Sequence, residues 1–315
     1  MRRILLYITI LLMAASCEHK ELCYDHSHMI NVDIRFDWSK APDADPETMK
    51  LYIYDDKGSE PITYTLLGKD GGKIRLTEGI YRIISFNGET EHLTEEMEED
   101  YNTLRVTSKT TDIFTSGTAA GVIQSTNIPK AKGAEEERIA WQAEEVWAGT
   151  VASLDVNKEM QNGQIDIVPE VVYKKISIEI NNVTNLQSVS TIRGTLSSLA
   201  GGYLPGLNAL SEERVTVPFD LTKSQDLKTL TAQFLIFGHC PKSLNTHNLA
   251  IYTVLADGSK WYKVYDVSDQ MHNSEDPYHI EIVLDGLPFP EVEYSGGGFV
   301  PEIDEWNTIN IGIQM

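Results

Sequence analysis

The amino-acid sequence predicts an all-β protein made of two antiparallel β-sandwich domains in tandem. Three observations lead to this prediction. The chain contains many short segments in which apolar and polar residues alternate, turns rich in glycine, proline and asparagine separate them, and helical periodicity is almost absent. Because alternation places the apolar side chains on one face of a strand, each sheet is expected to have one face in a core and one in water. A chain of 315 residues is long enough for two such domains.

Residues 1–16 predict a signal peptide rather than a part of the fold. Arg2 and Arg3 precede an apolar stretch, residues 4–15, that is too short to span a bilayer as a helix. Small residues then lead directly to Cys17. This arrangement resembles the signal of bacterial lipoproteins, in which the cysteine becomes the first residue and its thiol carries diacylglycerol. An ordinary secretory peptide with a chance cysteine is the alternative reading.

Residues 17–28 would then form a lipidated tether. Its His26 and His28 alternate, so they could bind a metal in passing, but no further ligands follow at a metal-binding spacing. The sequence therefore predicts no structural metal site and no cofactor. With Cys17 lipidated, Cys23 and Cys240 remain as thiols, and their pairing would be a single bridge rather than a disulfide framework.

The charge of the chain limits its partners. There are 47 aspartate and glutamate residues against 26 lysine and arginine residues. Such a surface repels phosphate backbones, which argues against nucleic-acid binding. It also repels an anionic membrane, so we expect a lipid, rather than a basic face, to hold the protein on the outer membrane.

Residues 29–169 are predicted to form the first domain, which opens with a strand of five alternating apolar residues. These are Ile30, Val32, Ile34, Phe36 and Trp38. A strand ending in an Asp-Lys-Gly turn at residues 56–58 follows, and a compact hairpin is predicted at Thr77–Gly79. The acidic residues 89–102 predict a solvated loop or exposed turn, with calcium binding as the weaker alternative. Residues 117–137 predict a long loop. Residues 137–149 could form a short helix with Ile139, Ala143, Val146 and Trp147 on one side, but the surrounding strands favour extended structure.

Residues 170–315 are predicted to form the second domain, which shows the same series of short strands separated by turns. Alternating segments occupy residues 171–183, 190–199, 214–221, 230–238 and 278–284, and a hairpin turns at Asp257–Gly258 between residues 248 and 267. The last predicted strand, Thr308–Met315, has four apolar residues on one face. These are Ile309, Ile311, Ile313 and Met315.

Several segments in order resemble the fimbrillin-like surface lipoproteins of Bacteroidota, within a large group carried as a domain of unknown function. They are "CEHKELCYDHSH", "VDIRFDWSKAPDADPE", "KDGGKIRLTEGIYRIISFNGET", "EEVWAGTV" and "VYDVSDQMH". The resemblance implies two transthyretin-like β-sandwiches and a role as a fimbrial subunit, anchor or accessory protein. Glu18 and Glu21, just after the cysteine, resemble the acidic signal that sends such lipoproteins to the outside of the outer membrane.

The resemblance also implies a mode of assembly. In polymerising members a protease cuts after a basic residue behind the first strand, and a strand from the next subunit fills the opened groove. Here Arg35 lies inside the predicted strand, and Lys40 is the next basic residue. This departure favours an anchor or accessory subunit with a resident first strand over a polymerising shaft subunit, and Lys40 keeps the shaft alternative open.

No enzyme is predicted, because the sequence has no nucleophile elbow, phosphate-binding loop, dinucleotide fingerprint or zinc signature. The histidines beyond the tether are expected to lie singly on strands or loops, as surface or core residues. They are His92, His239, His247, His272 and His279.

A glycan-binding surface lipoprotein is the competing hypothesis, since exposed aromatic rings could stack on sugars. The candidates are Trp141, Trp147, Trp261 and Trp306. For each of them, packing in a core or an interface is the favoured interpretation. Two aromatic rings side by side on a wet concave face would favour glycan binding. A detachable terminal strand over an apolar groove would favour a fimbrial protein.

Overall fold

The computed structural model describes residues 29–114, 128–242, 246–292 and 305–309. Strands dominate these residues, so the predicted all-β class is confirmed. The strands before the middle of the chain are β1 (Ile30–Phe36), β2 (Thr48–Asp55), β3 (Ile62–Leu67), β4 (Gly71–Leu76), β5 (Gly79–Asn87), β6 (Leu93–Glu96), β7 (Arg105–Ser108), β8 (Arg138–Ile139), β9 (Trp147–Val156), β10 (Gly163–Ile167) and β11 (Glu170–Val171).

The later strands are β12 (Lys174–Thr184), β13 (Val189–Ala200), β14 (Gly202–Leu204), β15 (Ala209–Leu210), β16 (Arg214–Asp220), β17 (Thr222–Lys223), β18 (Leu230–Ile236), β19 (Asn248–Leu255), β20 (Lys260–Asp266), β21 (His279–Pro288) and β22 (Trp306–Thr308). Among the described residues, helical structure is limited to short pieces: the 3₁₀ turns Trp38–Lys40, Lys158–Met160, Leu186–Ser188 and Pro205–Leu207, and the α-helix Ser268–His272. In the part of the chain that the structure describes, no helix has the length and apolar character needed to cross a membrane.

The first sandwich packs the sheet β10-β1-β4 against the sheet β11-β9-β5-β2-β3. Its core takes alternate residues from facing strands, such as Val32 of β1, Leu51 of β2 and Ile83 of β5, all of which are fully buried. Alternation thus produces the layer that the sequence predicts. The predicted compact hairpin at Thr77–Gly79 is wrong, because β4 pairs with β1 and β5 with β2 and β9, so the chain changes sheets there.

The second sandwich packs the sheet β17-β18-β12-β21 against the sheet β22-β20-β19-β13-β16-β8. Its core includes Ile178 of β12, Leu196 of β13, Ile251 of β19 and Ile282 of β21. The predicted hairpin at Asp257–Gly258 is confirmed, since it joins β19 and β20 in antiparallel register.

A third sheet, β15-β14-β7-β6, draws two strands from each half of the chain. It covers the outer face of the larger sheet of the first sandwich, so that Tyr52 and Phe86 are buried behind Leu51 and Ile83. The expectation of one wet face per sheet is therefore wrong at these central strands, because a second core lies on their other side. Part of the acidic run also forms β6 rather than a solvated loop.

Elements on both sides of the predicted domain boundary contribute to the second sandwich. Strand β8 pairs in parallel with β16, and Ala140 is fully buried in the second core. The division at residues 169 and 170 itself stays a prediction.

Candidate strand-exchange site

The first strand occupies the middle of its sheet. It pairs in parallel with β10, where Ile34 lies opposite Ile165, and antiparallel with β4, where Val32 lies opposite Ile74. The exposed fractions of Ile30, Val32, Ile34 and Phe36 are 4%, 0%, 3% and 5%. Since both edges of β1 are hydrogen-bonded and one face is in the core, its removal would leave an apolar groove between β4 and β10.

The strand is two residues shorter than alternation predicts. Asp37 accepts a hydrogen bond from the backbone of Ser39 at 3.0 Å, which caps a 3₁₀ turn containing Trp38. The half-buried Trp38 ring therefore lies beyond the strand, where its indole N–H donates to the Lys69 carbonyl at 2.8 Å.

The approach of β4 to β1 requires a glycine. Gly71 has a φ of +103°, a conformation that side chains rarely adopt. A Cβ atom at this position would lie 2.0 Å from the Ile34 carbonyl oxygen. Gly71 thus lets the backbones of β4 and β1 come close beside Ile34.

The chain that leaves β1 is fixed on both sides. The Asp37 N–H donates to the Ile167 carbonyl at 2.8 Å, which prolongs the contact with β10. Ala41 and Ala44 are each 3% exposed and pack against the buried Trp147. This segment is part of the packed structure rather than a loop held out to solvent.

The two predicted protease sites lie within this ordered region. Arg35 is the penultimate residue of β1, and its side chain forms an ion pair with Asp166 at 3.1 Å. Lys40 ends the 3₁₀ turn and forms an ion pair with Glu170. Both side chains are more than half exposed, but a protease needs an extended stretch of backbone, so cleavage at either site would require local unfolding.

The C-terminal candidate segment is described only at its start. Strand β22 pairs in parallel with β20, with Trp306 opposite Lys260, and Ile309 is 3% exposed in the second core. Ile311, Ile313 and Met315 lie outside the described residues, and so do Cys17, Cys23, His26 and His28. Cys240 is buried, and its thiol lies 3.4 Å from the Glu212 carbonyl oxygen.

The four candidate tryptophans pack against other side chains. Trp147 is 7% exposed, and Trp306 lies edge-on to Tyr252 with 5.5 Å between ring centroids. Trp261 packs on the second core. Trp141 stacks on His92 with centroids 4.0 Å apart. Each of the four rings therefore has a packing partner within the fold.

A cleft of about 430 Å³ at the junction of the two halves is lined by tyrosines instead. Tyr173, Tyr203 and Tyr278 contribute to its wall, and Tyr278 is 59% exposed. Burial raises the pKa of Tyr203 to about 12, and its hydroxyl donates a hydrogen bond to Asn208 Oδ1 at 2.6 Å.

The expectation that the histidines lie singly is wrong for three of them. His239, His247 and His272 come together at one end of the second sandwich, with ring centroids 4.8–5.0 Å apart. Their separation along the sequence gives no local signal of this contact. His92 lies against Trp141, and His279 lies 2.7 Å from the Ser177 hydroxyl.

Two tandem β-sandwiches, with the first strand enclosed in the middle of a sheet, define an all-β protein of the tandem-sandwich class. The chain belongs to the family described as a domain of unknown function, DUF5119, which matches residues 16–220.

Among curated proteins, the chain is similar to the proposed fimbrium anchoring subunit Fim4B of Bacteroides ovatus. The two are 24% identical over 202 residues, which cover 64% of this chain and 55% of the relative. The match therefore spans about half the length of that relative.

Among solved structures, the fold is similar to that of a proposed adhesin from Bacteroides ovatus. The TM-score is 0.62 at 20% identity, covering 88% of this chain and 98% of the other. The fimbrial anchor protein Mfa2 from Porphyromonas gingivalis gives a TM-score of 0.49 at 14% identity, covering 82% and 90% of the two chains. The first likeness confirms the fold over most of the chain.

Proposed function

We propose that this protein is a non-enzymatic anchor or accessory subunit of fimbriae. A lipid on Cys17 would hold it on the outside of the outer membrane, and it would contact other subunits by β-strand addition. The similarity to a proposed fimbrium anchoring subunit supports the fimbrial role. The strongly acidic composition supports attachment through a lipid rather than through a protein face.

The observation that carries the proposal is the position of β1. Each of its four buried apolar side chains contributes about 1.5–3 kcal/mol on full burial, as an upper estimate. Their sum is comparable to the whole stability of a typical domain, about 5–15 kcal/mol. A sandwich without β1 would therefore need a replacement strand. With β1 resident and the following segment packed, the groove is already filled.

A subunit whose own groove is filled ends a series of strand exchanges, as a base or accessory position requires. Contact with a neighbour would then use the C-terminal segment, in which Ile309, Ile311, Ile313 and Met315 alternate with polar residues. Such a strand could complete the groove of another subunit.

The edge strand β21 is capped at Val283, in its middle, against the same kind of addition. The side-chain amide of Gln270 donates to the Val283 carbonyl at 3.1 Å and accepts from the Val283 N–H at 2.7 Å. These two bonds occupy the positions that a strand from another molecule would take. The blocked edge favours contact through a chain terminus.

Limited digestion with a trypsin-like protease tests the proposal. The purified mature protein should remain monomeric and uncut between Met29 and Met49, while the exposed Lys57 in the β2–β3 turn serves as an internal cleavage control. N-terminal sequencing identifies the cut. A clean cut after Lys40, followed by detergent-resistant ladders that Lys40→Ala abolishes, would instead identify a polymerising shaft subunit.

The tyrosine-lined cleft favours glycan binding as a second candidate function. Tyr278 is exposed at its wall, and Lys174 and Glu170 add charged hydrogen-bonding groups. Binding to a glycan array that is lost in Tyr278→Ala, with unchanged thermal stability, would support this function. The absence of binding to any glycan on the array would rule out this function.

A further inference from the structure

The three clustered histidines come from separate elements of the second sandwich. His239 follows β18, His247 immediately precedes β19, and His272 ends the short helix after β20. One ring nitrogen from each lies within 4.8 Å of the other two. The closest pair, Nδ1 of His239 and Nε2 of His247, is separated by 3.0 Å.

The orientation of His247 is fixed by a hydrogen bond on its far side. Its ring is fully buried, and Nδ1 lies 3.1 Å from the Ser197 carbonyl oxygen. Because a carbonyl oxygen can only accept, Nδ1 carries the hydrogen, and the lone pair of Nε2 points toward His239. A metal-binding histidine is commonly oriented in this way, by a carbonyl or carboxylate on its second nitrogen.

A β-bulge in β13 supplies that carbonyl. The register of β13 shifts between Leu196 and Leu199, and Ser198 has a left-handed φ of +65°. The Ser198 N–H is held by the buried carboxylate of Glu137 at 2.9 Å. The bulge turns the Ser197 carbonyl out of the strand ladder toward His247. Bulges of this type are common beside functional sites.

The other two histidines are positioned by neighbouring backbone. His239 forms an isolated antiparallel bridge with Leu199, so the same part of β13 holds both His239 and His247. His272 is exposed, and its helix is tied to β21 through the amide of Gln270. The arrangement therefore has two buried or half-buried ligands and one on the surface, which gives a metal ion access to the cluster.

The protonation state also suits metal binding. Burial lowers the pKa of His239 to about 4, with a further lowering from His247 and His272, and burial lowers the pKa of His247 as well. At neutral pH both rings are therefore neutral, which is the form that binds metals.

We propose that His239, His247 and His272 bind a zinc ion through three imidazole nitrogens, with the fourth position open to solvent. Tetrahedral zinc with bonds of about 2.0–2.1 Å separates its ligand nitrogens by about 3.3 Å, close to the 3.0 Å of the nearest pair. On binding, the hydrogen on Nδ1 of His239 moves to Nε2, and the exposed His272 ring closes on the other two. The ion would join the ends of three elements at this edge of the sandwich.

Calorimetric titration of the purified, metal-free full chain with ZnCl₂ tests this site. Because His19, His26 and His28 bring imidazoles of their own, all three are first replaced by glutamine. We expect one saturable zinc per chain and a rise in melting temperature on zinc addition. His272→Gln, at an exposed position, should weaken binding by at least about 10-fold.

His279→Gln is the matched control, since it removes a histidine of the same sandwich outside the cluster and should leave zinc affinity unchanged. Cobalt absorption bands of a tetrahedral site that appear in the parent and disappear in His272→Gln would support the assignment. The absence of saturable binding, or equal zinc affinity in His272→Gln and His279→Gln, would overturn it.

Discussion

Replacement of Ile34 by alanine tests whether β1 supports the first sandwich in the way its burial indicates. The Ile34 side chain is 3% exposed and lies between Gly72 of β4 and Ile165 of β10. Truncation of a buried isoleucine to alanine costs about 2–5 kcal/mol, because apolar contacts are lost and a cavity remains. Arg35→Ala is the matched control on the next residue. Its ion pair is exposed, so it should cost about 0.2–1 kcal/mol.

Native-state hydrogen exchange is the appropriate assay, because a chain with two cores need not unfold in one step. A loss of 2 kcal/mol should speed exchange of the β4 and β10 amides about 30-fold. Amides of β19, in the second sandwich, serve as the internal reference. Equal effects of Ile34→Ala and Arg35→Ala, or a uniform acceleration in both sandwiches, would refute the reasoning.

Four further predictions follow from the same structure and sequence. Fatty-acid labelling of the expressed protein should be lost in Cys17→Ala, and equal labelling of both proteins would disprove the lipid anchor. Gly71→Ala should lower the free energy of unfolding by about 2 kcal/mol or more, because a Cβ there meets the β1 backbone. Gly58→Ala, where φ is also positive but nothing lies within 4 Å, should cost only about 1–2 kcal/mol in denaturant titrations. Gln270→Ala should speed hydrogen exchange of the backbone amide that it covers on β21, and unchanged exchange would show that the edge is protected in another way. Replacing His26 and His28 of the predicted tether by glutamine should leave the melting temperature unchanged, and a substantial fall would reveal a structural site there.

The alternation of apolar and polar residues predicted the strands well where only one face of a strand packs on a core. In β1, alternation identified the buried face from Ile30 to Phe36 but carried the strand on to Trp38. The pattern continued there because Trp38 is apolar, whereas the backbone turns at the Asp37 cap. Side-chain alternation reports burial and does not by itself report where a ladder ends.

Contacts between segments that are distant along the chain could not be predicted from the sequence. The run from β4 to β5 has the turn residues of a hairpin, yet the two strands belong to opposite sheets, because pairing depends on partners far along the chain. The three histidines meet for the same reason. Their contact depends on the adjacency of β13 and β19 and on a bulge at Ser198, and neither feature leaves a local sequence pattern.

The central position of β1 has a mechanical consequence. Any load that reaches the protein through the chain preceding Met29 enters the fold through this strand. The register pairs five of its residues with β10 and six with β4. Pulling along the strand axis strains both ladders together instead of opening one bond at a time. The first strand of the fold is thus placed where a tensile force on the preceding chain would be shared across a whole sheet.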